Sequence, residues 1–343
     1  MIHQYKLNGY NIVLDVYSGS VHLVDEVAYD MIAGFETQER ETLVDALAEK
    51  YRDREDVTRS ELEECYDQLL ALKDAGKLFT EDTFAPMAGE LKARTSGVIK
   101  ALCLHVAHTC NLNCSYCFAS QGRYQGDRAL MSFEVGKRAM DFLIENSGTR
   151  RNLEVDFFGG EPLMNFDMVK KLVAYCREQE KIHNKNFRFT MTTNGVLLNQ
   201  ENIDYINEEM SNCVLSLDGR PEVNDRHRPT VAGTGSYDVI VPKFKKLVET
   251  RGDQDYYLRG TFTRDNLDFA ADVIHIASEG FESVSVEPAV GKPDDPFAVR
   301  EEDLPQVKAE YDKLARYLLD HPEVNFFHFN VDLAQGPCVI KRM

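Results

Sequence analysis

The sequence contains no tryptophan, only 11 prolines in 343 residues, and no apolar run long enough to cross a bilayer. Its opening, MIHQYKLNGY, lacks the charged-then-apolar pattern of a secretory signal, so the expected compartment is the cytoplasm and no membrane is involved. Positive charge is also scarce: 39 Lys and Arg face 57 Asp and Glu, a formal net charge of −18. A phosphate backbone is held by a surplus of Lys and Arg, so nucleic acid is excluded as a partner. In a reducing compartment the eight cysteines do not form a disulfide framework; they serve as metal ligands, catalytic groups or buried thiols. What remains is an ordinary globular composition, 43% hydrophobic and 28% charged, with enough chain for one large domain or two of common size.

Residues 1–80 open on short alternating segments, YKLNGYNIVLDV and SVHLVDEV, with turn signals at Asn8-Gly9 and Ser18-Gly19-Ser20. Three helical stretches follow. Leu43, Leu47 and Tyr51 share one face of the second, while Leu62, Leu69 and Leu72 carry the third, capped by Thr58 or Ser60 and ended at Gly76. A small hairpin with three helices is a winged-helix-like α+β pattern, and the acidic balance predicts a peptide laid along its strand edge. Residues 81–97 have no sustained period and contain Pro, Gly and Ser, so they read as a linker. Over 98–322 the strand-like runs KALCLHVA, LEVDFF, FRFTMTT, CVLSL, YYLRGTF and SVSVEPA alternate with helical stretches, the last at about 304–320. Six strand-helix units in succession predict an α/β fold with a parallel sheet, closed partway as a (β/α)6 barrel. Ligands of such a sheet sit in the loops after the carboxyl ends of its strands.

The first of those strands runs into HTCNLNCSYCFA, where Cys110, Cys114 and Cys117 are spaced C-x3-C-x2-C. A structural zinc takes four ligands, usually as two close pairs, and no fourth cysteine lies nearby. Three thiolates can instead hold a four-iron cluster whose fourth iron stays open. Cys65, Cys103, Cys176 and Cys213, with His105 and His108, lie in strand or helix patterns without partners at ligand spacing and read as structural. His108, two residues before Cys110, is also placed to tune a cluster from outside its ligand shell.

The loop C-x3-C-x-aromatic-C, with Tyr116 in the aromatic place, resembles the signature of the radical S-adenosylmethionine (SAM) enzymes. That resemblance implies a partial barrel, a [4Fe-4S] cluster on Cys110, Cys114 and Cys117, and SAM chelating the open iron. Gly159-Gly160-Glu161-Pro162 after the second strand resembles the family's GGEP stretch, which meets the SAM amino group. Asn194 and Ser216, ending the third and fourth strands, are then ribose or carboxylate contacts, although Asn194 serves equally as a turn or helix cap. Arg228, in NDRHRP, matches an arginine that pairs with the SAM carboxylate, with Arg226 as the alternative. Glu287, at the end of the sixth strand, is a candidate for adenine or substrate contact.

Residues 1–80 together with the cysteine loop resemble the maturases of SCIFF peptides, named for six cysteines in forty-five residues. The resemblance implies a precursor peptide bound through its leader at residues 1–80, and thioether (sactionine-type) bonds from peptide cysteines to acceptor α-carbons. It also implies reductive SAM cleavage, hydrogen abstraction, and an electron donor such as a flavodoxin or ferredoxin. A sulfatase-type or carbon–carbon cross-linking maturase is the alternative, and a non-catalytic peptide-binding metal protein the alternative from another class. Cys338, in QGPCVIKRM, matches the first cysteine of the family's SPASM-type domain, so residues 323–343 read as the start of that module, cut short at Met343. Auxiliary [4Fe-4S] clusters are expected only where its full set of ligands is present.

Overall fold

The computed structural model describes residues 1–90 and 97–330, and they fall into two compact units that part at Gly97. Cys338 lies outside the described residues.

In the first unit, β1 (Ile2–Leu7), β2 (Tyr10–Asp15) and β3 (Ser20–Val24) form an antiparallel sheet in that order. Asn8 and Gly9 turn the first hairpin at φ 52° and 83°. Both lie in the left-handed region that a two-residue turn of matching twist requires, which is why the pair is Asn-Gly. Helices α1 (Glu26–Gly34), α2 (Arg40–Lys50) and α3 (Arg59–Asp74) follow. Thr58, not Ser60, caps α3: its side chain accepts from the Glu61 backbone N–H while the Glu61 carboxylate accepts from the Thr58 N–H. Val13, Met31, Leu43, Leu62 and Leu69 form the core between sheet and helices. The buried Asp15 carboxylate accepts from both the backbone and the hydroxyl of Thr80, which ties residue 80 back to the hairpin.

The second unit is built on a seven-stranded sheet, and every pairing in it is parallel. Its elements run β4 (Ala101–Ala107), α4 (Phe133–Glu145), β5 (Asn152–Gly159), α5 (Phe166–His183), β6 (Asn186–Thr193), α6 (Gln200–Glu209) and β7 (Asn212–Ser216). They continue with α7 (Pro221–His227), α8 (Tyr237–Arg251), β8 (Asp255–Phe262), α9 (Phe269–Ser278), β9 (Ser283–Pro288), α10 (Leu304–Asp320) and β10 (Asn325–Phe326). Alternation decides which face is covered. Leu153, Val155 and Phe157 of β5 and Phe187, Phe189 and Met191 of β6 are buried among Val169, Leu172 and Cys176 of α5 and their neighbours. Burying each such side chain stabilises by about 1.5–3 kcal/mol. The intervening residues, Asp156 of β5 and Thr190 and Thr192 of β6, are polar and point to the other face.

The partial barrel is as the strand-helix alternation predicts, with one addition. Asn325 and Phe326 pair with Ser283 and Val284 as a seventh parallel strand, and residues 323–330 belong to this unit. Two residues carry no alternation to read, which is why this strand is absent from the sequence pattern. No helix among the described residues is long and apolar enough to cross a membrane.

Candidate active site

Because all seven strands run in one direction, their carboxyl ends meet on one side of the sheet, and the segments leaving them enclose a cavity of about 440 Å³. Cys110, Cys114, Tyr116 and Cys117 line it from the loop after β4, and Gly159, Gly160, Glu161 and Pro162 from the end of β5. Asn194 after β6, Ser216 of β7, Arg228 after α7 and Glu287 of β9 complete the predicted set. Every sequence-predicted site residue among the described residues thus faces one space.

The cysteine loop has no regular structure, so other segments hold it. The backbone N–H groups of Asn113 and Ser115 donate to the carbonyls of Pro229 and His227, at 2.8 and 2.9 Å. Ser115 Oγ lies 3.0 Å from His227 Nδ1, and Leu112 bridges to Thr230. The end of β5 presses on the loop's other side. Gly160 N–H donates to Ala107 O at 2.7 Å and Glu161 N–H to Thr109 O at 2.9 Å. A Cβ on Gly160 would lie 2.1 Å from Thr109 O, so glycine is required here by the approach of two backbones as well as by any ligand.

Two of the predicted residues also have partners within the protein. Glu161 lines the cavity, yet its carboxylate is wholly buried and accepts from Leu163 N–H, Thr193 Oγ1 and Asn194 N–H at 3.0, 2.8 and 2.8 Å. It braces the ends of β5 and β6 together, with burial pushing its pKa up against those hydrogen bonds. Asn194 closes a turn through Val196 N–H, as its capping alternative foresaw, and its amide nitrogen also donates to Asn111 Oδ1 at 2.8 Å and to Cys110 Sγ at 3.6 Å. Its amide N–H groups are thereby engaged within the protein and its contact is with the cysteine loop. Of the two arginines, Arg226 is exposed, whereas Arg228 is 8% exposed and lines the cavity.

Sequence reasoning missed Asp218. Its buried carboxylate accepts from Tyr116 Oη at 2.7 and 2.9 Å and from Thr261 N–H at 3.1 Å. Arg228 donates to the same Tyr116 oxygen at 3.0 Å and stands 3.9 Å from Asp218. Burial pushes the Asp218 carboxyl up to about 6, with the Arg228 guanidinium pulling against it. In the sequence Asp218 is only the residue two past Ser216, because the phenol that it meets lies 102 residues earlier. Arg259 and Thr261 on the far wall were also missed. Arg259 pairs with Glu287 at 2.8 Å, and Ser285 donates to the same carboxylate, so Glu287 is already held by the protein. Phe118, 72% exposed, stacks on Phe158 at the rim.

Cys176 and Cys213 are fully buried, in accord with a structural reading, whereas Cys103 is exposed on the edge strand β4. His105 and His108 pack on the Tyr124 ring at 4.5 and 4.9 Å.

The donor set fits an iron-sulfur cluster better than a single ion. Three thiols face the cavity, yet among the described residues no three His, Cys, Asp or Glu groups gather closely enough to hold one metal ion. A cube ligated at three corners spreads its ligands wider than an ion does. Arg228 Nε, buried and without a partner, adds an unspent donor beside them, suited to an anionic group. Without metal, burial pushes the Cys114 thiol up to about 12 and the Cys110 thiol up as well. In cluster-free protein at pH 8, Cys114 should therefore react with iodoacetamide roughly a hundredfold or more slower than an exposed free cysteine, and faster with each rise in pH. Peptide mass mapping checks this; labelling of Cys114 at the free-thiol rate contradicts it.

Residues 104–254 match the family model for the radical SAM superfamily. The radical SAM cyclopropyl synthase TigE of Paramaledivibacter caminithermalis is 25% identical over 199 residues, covering 54% of this chain and 40% of that protein. In fold, the chain resembles anSMEcpe solved with AdoMet and the Cp18Cys peptide, at TM-score 0.56 and 18% identity, over 68% of this chain and 64% of that one. It also resembles SuiB of Streptococcus suis bound to its precursor peptide SuiA, at TM-score 0.52 and 15% identity, over 92% of this chain and 68% of that one. The chain spans less than half the length of the curated relative TigE. Three cysteines at C-x3-C-x2-C after the first strand of a parallel partial barrel, facing one cavity with the other strand ends, agree with that match: the chain carries a domain of the radical SAM superfamily, whose cofactors are a [4Fe-4S] cluster and SAM.

Proposed function

We propose that this chain is a radical SAM maturase that modifies a ribosomally made peptide, forming thioether bonds between peptide cysteines and acceptor α-carbons. The observation that carries the reading is the convergence of Cys110, Cys114 and Cys117 with the ends of β5, β6, β7 and β9 on one cavity. The peptides bound to anSMEcpe and SuiB in their solved structures support chemistry on peptides. Support for thioether formation is narrower: it is the likeness of residues 1–80 and the cysteine loop to the SCIFF maturases.

In this reading Cys110, Cys114 and Cys117 hold three irons, and Arg228 offers its unspent Nε to the SAM carboxylate. When bound, the cluster and SAM supply one-electron cleavage chemistry able to remove hydrogen from an unactivated carbon. The protein's part is position and exclusion. Gly159 and Gly160 bring bare backbone to the cavity wall, while Phe118, Phe158, Ala289 and Val290 line it with apolar surface that keeps water from a reactive carbon. The strand edge of residues 1–80 takes the leader of the precursor peptide. Cys338 is the first ligand of an auxiliary cluster in a SPASM-type module.

A second reading keeps the radical SAM core with another product, a cyclopropane or carbon–carbon bond, and the likeness to TigE favours it. One experiment separates the readings. Anaerobically reconstituted protein is incubated with SAM, dithionite and a cysteine-rich precursor peptide, and 5′-deoxyadenosine and peptide mass are followed. The expected result is SAM cleavage with loss of two hydrogens per thioether and loss of one alkylatable cysteine. A peptide that loses two hydrogens yet keeps all its thiols supports the second reading, and absence of iron uptake overturns both.

A further inference from the structure

Within the cysteine motif the hydroxyl of Tyr116 has a place of its own. Tyr116 Oη sits between Asp218, which accepts its proton at 2.7 Å, and Arg228, which donates to it at 3.0 Å. Asp218 is wholly buried and Arg228 nearly so. These three groups come from three separate segments: the middle of the cysteine loop, the end of β7 and the residue after α7. The phenol therefore joins the cluster-binding loop to the barrel between Cys114 and Cys117, next to the Ser115 N–H that donates to His227 O at 2.9 Å, and adds the side-chain tether at that point.

Charge gives the arrangement a second consequence. A chain with a formal net charge of −18 must seat three thiolates and an anionic cluster in a partly enclosed cavity. Two cations line that cavity. Arg259 is neutralised by Glu287 at 2.8 Å, whereas Arg228 stands farther from its carboxylate, at 3.9 Å, and is joined to it through the phenol. Arg228 is thus held beside Cys114 with its positive charge only partly spent.

We propose that Tyr116, Asp218 and Arg228 act as one positioning unit for the cluster: the phenol fixes the loop between Cys114 and Cys117, and the opposed charges of Asp218 and Arg228 set the cluster's reduction potential. The inference rests on the three cysteines holding the cluster. Net charge and hydrogen bonding near an iron-sulfur cluster are the protein's means of moving its potential, so the sign of each shift is fixed in advance. Removing the cation makes the cluster harder to reduce, and removing the anion makes it easier.

The test uses the full chain, reconstituted anaerobically, with three variants. Cluster potential is read by redox titration with electron paramagnetic resonance in the absence of SAM, and iron release to a chelator is followed by absorbance. Arg228→Gln is expected to lower the midpoint potential and Asp218→Asn to raise it. Tyr116→Phe keeps both charges, so its potential stays at the wild-type value while iron is released several-fold faster. The double variant Tyr116→Phe/Asp218→Asn should release iron no faster than the faster single variant, because both remove the same tether. Should Arg228→Gln fail to fold by circular dichroism, Arg228→Lys keeps the charge without the fork and is expected to hold the potential while releasing iron faster. Shifts of one sign for both charge variants, or wild-type iron release from Tyr116→Phe, overturn the proposal. Wild-type protein that takes up no iron overturns the cluster assignment itself, a distinct outcome.

Discussion

Cys114→Ala takes up no stable cluster and cleaves no SAM. Two thiolates remain in the loop, and iron retained after desalting falls by at least about a hundredfold, beyond the range seen when only an outer partner of a ligand is lost. No other described cysteine of the barrel unit can substitute: Cys176 and Cys213 are fully buried in α5 and β7. Cys103, though exposed, is fixed in β4 and does not line the cavity. The metal-free fold is hardly affected, because exchanging a buried thiol for a methyl costs about 1 kcal/mol. Iron content and melting temperature measured on the same preparation check both halves; full iron content contradicts the first, and a collapsed melting transition the second.

Gly160→Ala fails for a different reason and fails in both measurements. Its new methyl would stand 2.1 Å from Thr109 O, 2.6 Å from Thr109 C and 3.1 Å from Gly122 Cα, all backbone atoms with no rotamer to change. Either the end of β5 or the root of the cysteine loop must move, at about 3 kcal/mol. The hydrogen bond from Glu161 N–H to Thr109 O is strained with it, so cluster retention and SAM binding fall together with stability. Gly126→Ala in the same loop is the control, since its methyl meets only Arg123 O at 3.6 Å. Wild-type behaviour of Gly160→Ala in melting and in SAM binding by equilibrium dialysis contradicts the close-approach argument.

The contrast between these positions shows what was readable beforehand. The cysteine spacing, the Gly-Gly-Glu-Pro turn and the apolar periods of β5 and α5 are local patterns, and a parallel sheet converts them into a common cavity with no further information. Glu161 was readable as a site residue but not as a brace, because the Thr193 hydroxyl and Asn194 N–H that occupy its carboxylate belong to the next strand end. Asp218 was hidden more completely. Its partners Tyr116 and Thr261 lie 102 and 43 residues away, so its environment exists only once the strands are side by side. The two-residue β10 was invisible because a strand that short has no period.

The stitching of the cysteine loop to residues 227–230 also sets a schedule for biosynthesis. Ser115 and His227, like Tyr116 and Arg228, are 112 residues apart. At roughly 5–20 residues per second, the three thiols are synthesised about 6–22 s before the segment that shapes their loop. During that interval the nascent chain presents an unstructured trio of thiols to oxygen and to stray metal ions. Correct iron insertion is therefore a late event, after α7 has been synthesised, and cluster delivery has to be timed to the nearly finished barrel rather than to the appearance of its ligands.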